Sequence, residues 1–319
     1  MHRHKRWWWI VALLTALTLT AAACGDDGED GGDGGDGDGQ EQEFPAGSTM
    51  AELQDAGKVV IGVKFDVPPF GFENPQTGEV EGFDVDLGNI IAEELGVEAE
   101  FVEAISDNRI PFLQDGTVDM ILSTMTITTD RAVEIDYSRP YFVAHGRILV
   151  PEGSDIQGID DLNGKKVCTG LGSTYETTIK EQAPDADLKL VESYSECYEN
   201  LQNEAVDAVS TDDVILTGMI IQSEDQPLEM VGEQMTVEPY GVGIPDGDQE
   251  LAGFVSEVIE GTFESGEWQD MYDKWVGKYT GEDPDHPEGY TLSDAYELFP
   301  CDEFCKEAKE EEDVQNPAF

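Results

Sequence analysis

Short apolar runs alternate with amphipathic ones from Met50 to Tyr279. The run "VVIGV" (Val59 to Val63) contains no polar residue and reads as a buried strand. In "VDLGNIIAEELG", Leu87, Ile90, Ile91 and Leu95 fall on one helical face, with Asp84 as its expected cap and Gly96 as its stop. "EAEFVEA" alternates with the period of a strand, "IPFLQDG" reads as a short helix, and "VDMILST" as another buried strand. The pattern restarts after Pro151. "DDLNGKKVCTGLG" predicts helix, turn and strand; "STYETTIKEQ" a helix capped by Ser173 or Thr174; "LKLVES" a strand; "SECYENLQNEA" a helix; "VDAVSTD" a strand. "MVGEQM" and "YGVGIP" read as further strands, and Asp248 to Lys278 as helical. Phe254, Phe263, Trp268, Tyr272 and Trp275 in that last segment read as packing residues. This alternation predicts an α/β fold with parallel strands.

Two units echo one another. "LQDGTVDMILST" and "LQNEAVDAVSTD" are each a helix end, a turn and a strand that opens on Val-Asp. The echo predicts two similarly built lobes. Ligands of open α/β sheets bind outside the carboxyl ends of the strands. A cleft between the lobes is therefore expected, lined by Ser123, Thr124 and Thr126 on one side and Asp212 on the other.

The first 49 residues do not fit this pattern. His2, Arg3, His4, Lys5 and Arg6 form a basic start, followed by the apolar "WWWIVALLTALTLTAAA" and then Cys24. Residues 1–23 read as a signal peptide, and small residues directly before Cys24 are similar to a lipobox, with Ala21 where leucine is usual. Cleavage before Cys24 and lipid attachment to its sulfur would tether the chain to the outer face of the cell membrane. Residues 24–49 carry "GDDGEDGGDGGDGDGQEQE", an acidic glycine-rich linker that cannot bury a core.

Composition narrows the partners. The chain of 319 residues has 17 basic and 70 acidic side chains, a net charge of -53. That balance excludes nucleic acid and anionic membrane surfaces, so any membrane contact is expected through the lipid alone. The field of such a surface is screened within about 3 Å at 1 M salt, and the acidity reads as suited to a salty medium. Besides Cys24 there are four cysteines, Cys168, Cys197, Cys301 and Cys305, an even number in an exported chain, which predicts two disulfides. Three connectivities are open; pairing Cys168 with Cys197 and Cys301 with Cys305 closes the shortest loops. No histidine lies near them, so no metal and no cofactor is expected.

Against this background the stretches "FDVPPFGFENPQTGEVEGFDVDLGNIIAEELG", "TMTITTDRAVEIDYSRPYF", "DLNGKKVCTGLGSTYE", "VDAVSTDDVIL" and "YGVGIP" stand out together. In that order, over Lys58 to Tyr279, they resemble the extracellular solute-binding proteins of polar amino-acid ABC transporters (family 3). "DNRIPFL" and the cysteine pair make the chain look most like the glutamate-binding branch. The resemblance implies a two-lobed periplasmic-binding-protein-like (type II) fold with two crossover hinge strands. Lobe 1 would comprise residues 50–146 and 244–280, lobe 2 residues 147–243, and residues 281–319 a C-terminal extension expected to pack on a lobe.

It also implies roles. Arg131 matches the arginine that grips the ligand α-carboxylate, which suits a planar bidentate guanidinium. Thr124 and Thr126 match contacts to the same carboxylate, and Ser173 or Thr174 stands at a helix N-terminus that favours an anion. Asp212 would pair with the α-ammonium, with Asp213 the adjacent alternative. Lys64 stands where relatives that bind cationic amino acids carry an acid, and Arg109 lies at the edge of the same cleft; two cations imply an acidic ligand side chain. Val67 and Ser106 occupy the places of stacking aromatics. The expectation is a monomeric lipoprotein that captures glutamate or aspartate by closure and passes it to ABC permease subunits, with glutamine or another polar amino acid as the alternative. A dehydratase on the same fold is the distant rival. It is disfavoured because His145 and His286, the only histidines beyond the signal segment, fall outside every motif. A sensor that works through a separate partner is the other.

Overall fold

The computed structural model describes residues 43–223, 226–281 and 283–300. The signal segment, Cys24, the linker up to residue 42 and the Cys301–Cys305 pairing lie outside them. Helix α1 (Thr49–Ala56) leads into strand β1 (Lys58–Val63). Three short strands form an antiparallel sheet of their own: β2 (Asp66–Val67), β3 (Gly71–Glu73) and β4 (Val80–Glu81). Helix α2 (Phe83–Leu95), strand β5 (Glu98–Glu103), helix α3 (Arg109–Gln114), strand β6 (Met120–Ile121) and strand β7 (Ile135–Tyr137) follow. Then come β8 (Phe142–Pro151), β9 (Lys166–Gly170), α4 (Thr174–Gln182), β10 (Asp187–Val191), α5 (Tyr194–Gln202) and β11 (Ala208–Asp212). After α6 (Asp213–Gln222) the chain makes β12 (Leu228–Val231), β13 (Val237–Tyr240) and β14 (Gly243–Pro245). It ends on α7 (Gln249–Ser265), α8 (Glu267–Tyr272), α9 (Lys278–Thr280) and α10 (Leu292–Leu298).

Two sheets organise two lobes. The first runs β5-β1-β6-β14-β7, with β1 parallel to β5 and β6, and β14 antiparallel to its neighbours. The second runs β10-β9-β11-β8-β12, with β9 parallel to β10 and β11, and β8 antiparallel to β11 and β12. Val59, Ile61 and Val63 of β1 are fully buried, as expected of a strand covered on both faces. The first half of β8 pairs antiparallel with β13, and these two strands are the crossovers between the lobes. Trp268 of α8 seals this junction by donating its indole N–H to the Tyr141 carbonyl at 2.7 Å.

Several local expectations are corrected. Asp84 does not cap α2: the N-cap is Gly82, and Asp84, fully buried in the first turn, instead accepts from the Thr124 N–H at 2.9 Å and the Tyr141 hydroxyl at 2.8 Å. The apolar "VDMILST" forms only two strand residues, because the chain then turns into the cleft through Thr124 at φ 43°. "MVGEQM" ends its strand at Val231, and the second of the two expected crossover strands, β13, begins at Val237, ahead of the strand read from "YGVGIP". A disulfide joins Cys168 of β9 to Cys197 of α5, the local pairing, and braces a helix against the second sheet.

Residues 283–300 pack on lobe 1. The His286 ring lies 4.4 Å from the Trp268 ring, Arg139 donates to the Glu288 carbonyl at 2.8 Å, and Ala295 is fully buried against the cluster around Leu113, Ile127 and Tyr137. Thr129 then donates its hydroxyl to the Phe299 carbonyl at 2.6 Å.

Candidate ligand site between the lobes

The loop after β6 and the turn that carries Arg131 present one wall of the cleft, and the start of α4 with the end of β11 presents the other. Arg131 donates through Nη1 to the Thr126 carbonyl at 2.7 Å and through Nη2 to the Gly172 carbonyl at 3.1 Å. One bond is within lobe 1 and the other crosses to lobe 2. Gly172 sits at φ +72° directly before α4, and a Cβ there would stand 2.8 Å from Asp107 Cα of lobe 1. The lobes are therefore closed, with backbone packed on backbone across the cleft mouth.

Arg109 is buried, and its guanidinium serves four carbonyls: Ser106 at 3.0 Å, Ser123 at 3.0 Å, Thr124 at 3.1 Å and Gly172 at 3.4 Å. With these bonds made, the side chain holds the turn after β6 in place and gives the cleft a charge more than a free donor fork. Burial, then the nearby Arg131, lowers its pKa to about 10. Lys64 is only 2 % exposed. Its Nζ donates to Ser106 Oγ at 2.9 Å and lies 5.9 Å from the Tyr194 ring centroid. Burial first, and then Arg109, brings its pKa down to about 7. Asp66 and Asp84 act the other way without offsetting burial, so a further anion beside the ammonium would stabilise it.

Asp212 lies at the carboxyl end of β11, buried, and accepts from the Tyr175 hydroxyl at 3.0 Å. Burial, then the charge of Glu238, raises its pKa well above the usual carboxylate range. Asp213 faces elsewhere. Its carboxylate accepts from the His145 N–H at 3.1 Å and stands 3.5 Å from the His145 ring, which also meets Asp285 at 3.5 Å. Of the two adjacent acids, Asp212 is the one in the cleft.

The hydroxyls are drawn in too, though not toward a common carboxylate position. Ser173 turns its Oγ back to the Gly170 carbonyl at 2.7 Å. Thr124 contributes a backbone N–H already held by Asp84. Thr126 and Thr174 both donate to Oε2 of Glu238, at 2.6 and 3.1 Å. The structure thus brings Lys64, Arg109, Thr124, Thr126, Arg131, Ser173, Thr174 and Asp212 to one cleft. It adds Glu238, Asp84, Tyr175 and the Gly172 carbonyl, which the sequence reading missed. Glu238 is a single acid in "VEPYG", and nothing in its immediate pattern separates it from a solvated strand-edge residue.

Similarity to known proteins agrees with this architecture. The chain is 37% identical over 271 residues to the ABC transporter glutamine-binding protein GlnH of Bacillus subtilis, an alignment covering 84% of this chain and 95% of that one. It is 34% identical over 280 residues to the glutamate-binding protein GluB of Corynebacterium efficiens, covering 84% and 88%. Among solved structures, an ancestral arginine-binding protein bound to glutamine superposes with a TM-score of 0.67 at 37% identity, covering 69% of this chain and 98% of that one. Residues 59–278 match the family described as bacterial extracellular solute-binding proteins, family 3, and with the two-lobed fold and its closed cleft this establishes that the chain belongs to that family.

Proposed function

We propose that this protein captures a polar α-amino acid between its lobes and delivers it to an ABC permease, and that the amino acid is glutamate. No chemical step is part of this reading. Arg131 would receive the α-carboxylate, since a guanidinium offers more N–H groups than the two carbonyl bonds it makes here. Asp212 would receive the α-ammonium, whose positive charge offsets the repulsion between Asp212 and Glu238. The observation that carries the choice of glutamate is Lys64, an ammonium placed 2 % exposed on the cleft floor beside Arg109 and Arg131. A γ-carboxylate would restore the charge balance that burial has upset.

Glutamine is the second reading. Two relatives at 37% and 38% identity are glutamine-binding proteins, and two at 34% and 33% are glutamate-binding proteins. An amide carbonyl can also accept from Lys64 or Ser106. Titration of the purified chain with glutamate, aspartate and glutamine decides between them. Glutamate bound at least roughly tenfold more tightly than glutamine, the worth of one additional charge-assisted hydrogen bond, would support the first reading. The reverse order would assign glutamine. The remainder of the proposal is export and lipidation at Cys24, followed by action at the outer face of the membrane. Mass analysis of the membrane-bound form should show a diacylglyceryl adduct on Cys24, and an unmodified soluble protein would refute it.

A further inference from the structure

Glu238 is fully buried on the hinge strand β13, and among the described residues its carboxylate is met by hydroxyls and by no ion-pair partner. Three hydroxyls supply it. Thr236, on the approach to the same strand, donates to Oε1 at 2.6 Å. Thr126, in the lobe 1 turn beside the hinge, donates to Oε2 at 2.6 Å. Thr174, the first residue of α4 in lobe 2, donates to the same Oε2 at 3.1 Å. One carboxylate oxygen therefore holds a hydroxyl from each lobe, and its partner oxygen is held by the hinge.

We propose that Glu238 is a positioning residue that ties closure of the lobes to the ligand site, through the paired hydroxyls of Thr126 and Thr174. The proposal rests on the binding reading above. Its physical basis is the sharing of one acceptor. When lobe 2 swings away with α4, Thr174 leaves Oε2, and a buried carboxylate loses one of its three donors. Buried carboxylates depend on such donors, so the closed arrangement is favoured by the difference. Each hydroxyl has one proton. With that proton directed at Glu238, Thr126 and Thr174 present only lone pairs to the cleft and act there as acceptors. The buried Asp212, whose carboxyl is pushed up by burial and then by the charge of Glu238, adds a further acidic group to the same wall.

The test follows the lobes and the ligand separately. Labels on the exposed Glu94 of lobe 1 and Glu181 of lobe 2 report the inter-lobe distance by single-molecule energy transfer, and stopped-flow reports dissociation of glutamate and of glutamine. Glu238→Ala and Thr174→Val should each raise the open population of the ligand-free protein. Each should also speed dissociation roughly tenfold, the order expected when a buried hydrogen bond loses one partner. The double variant should be no worse than Glu238→Ala alone, because both changes break the same bond. Unchanged distances, or effects that simply add, would overturn the proposal, as would a loss of melting temperature with distances and dissociation intact. If Glu238→Ala fails to fold, Thr174→Val and Glu238→Gln carry the comparison. If neither amino acid binds the unmodified protein, the binding reading fails, while the ligand-free distances still decide the role of Glu238.

Discussion

Lys64 and Arg131 carry most of the argument at the scale of single residues, and they make separable predictions. Burial and Arg109 lower the Lys64 ammonium to about 7, Arg131 adds to the lowering, and Asp66 and Asp84 act against it. A group with a lowered pKa is charged below that value and neutral above it. Glutamate, which needs the charged form, should therefore bind best below pH 7 and lose up to roughly tenfold per pH unit above it. Glutamine should lose far less, so the ratio of their affinities between pH 6 and 8.5 isolates Lys64. Lys64→Met should abolish that pH dependence and weaken glutamate by about 2 kcal/mol or more, the usual cost of leaving a buried charge unpartnered, as measured by calorimetry. Arg131→Ala should weaken every α-amino acid by about 2–5 kcal/mol without unfolding the chain, because each carbonyl it leaves keeps a second donor, the Tyr137 hydroxyl at 3.4 Å for Thr126 and Arg109 at 3.4 Å for Gly172; equal affinity would exclude it as the carboxylate clamp. Arg131 and Lys64 were legible because basic residues are scarce here, 17 against 70 acids, so a cation between apolar segments is conspicuous. Glu238 was not, because one more acid among 70 carries no signal until the fold buries it. Arg109 was legible as a cleft residue, but its bonding to four carbonyls is a property of the turn that surrounds it.

At the scale of elements, helix α6 decides how closely the lobes meet. A Cβ on Gly218 would lie 1.8 Å from the Pro68 carbonyl oxygen of lobe 1, too close for the closed state. Gly218→Ala should thus weaken ligand binding. It should also stabilise the helix itself by about 0.5–1 kcal/mol, since alanine is the better helix former. Opposite signs in a titration and a melt would identify a clash that exists only on closure. The Cys168–Cys197 bridge acts within lobe 2, across a sequence separation of 29. Loop entropy assigns a link of that length about 3.5 kcal/mol, so reduction should lower the denaturation midpoint without changing which amino acid binds. Elements that bury most of their residues were legible, β1, β9 and β11 as short runs covered on both faces and α2 as one helical face. The crossovers were harder. β8 places ten residues against three different strands, and β13 has four; neither has the alternation of a strand with one wet face. The cap of α2 was misassigned because Asp84 has a longer-range partner in Thr124, which no local pattern contains.

At the scale of the molecule, the candidate site is built from both lobes. Arg131, Arg109 and Thr126 come from one side, and the Gly172 carbonyl, Thr174 and Asp212 from the other, so the full set of contacts exists only in the closed state. The repeated helix-turn-strand unit foretells the two lobes and the family resemblance implies their closure, whereas the groups that meet across the closed cleft, such as Gly172 against Arg131 and Thr174 against Glu238, are properties of the three-dimensional arrangement. A net charge of -53 destabilises this compact form by self-repulsion. The melting temperature should therefore rise between low and molar salt, and a flat response would show the acidic surface to be neutral in stability. The measurement that bears most directly on the account is calorimetric titration of the purified chain with glutamate and glutamine at pH 6 and 8.5 in molar salt. The account predicts one ligand per chain, glutamate preferred at pH 6, and that preference eroding at pH 8.5 as Lys64 loses its proton. Absence of binding by either amino acid, or a glutamate preference indifferent to pH and to Lys64→Met, would contradict it.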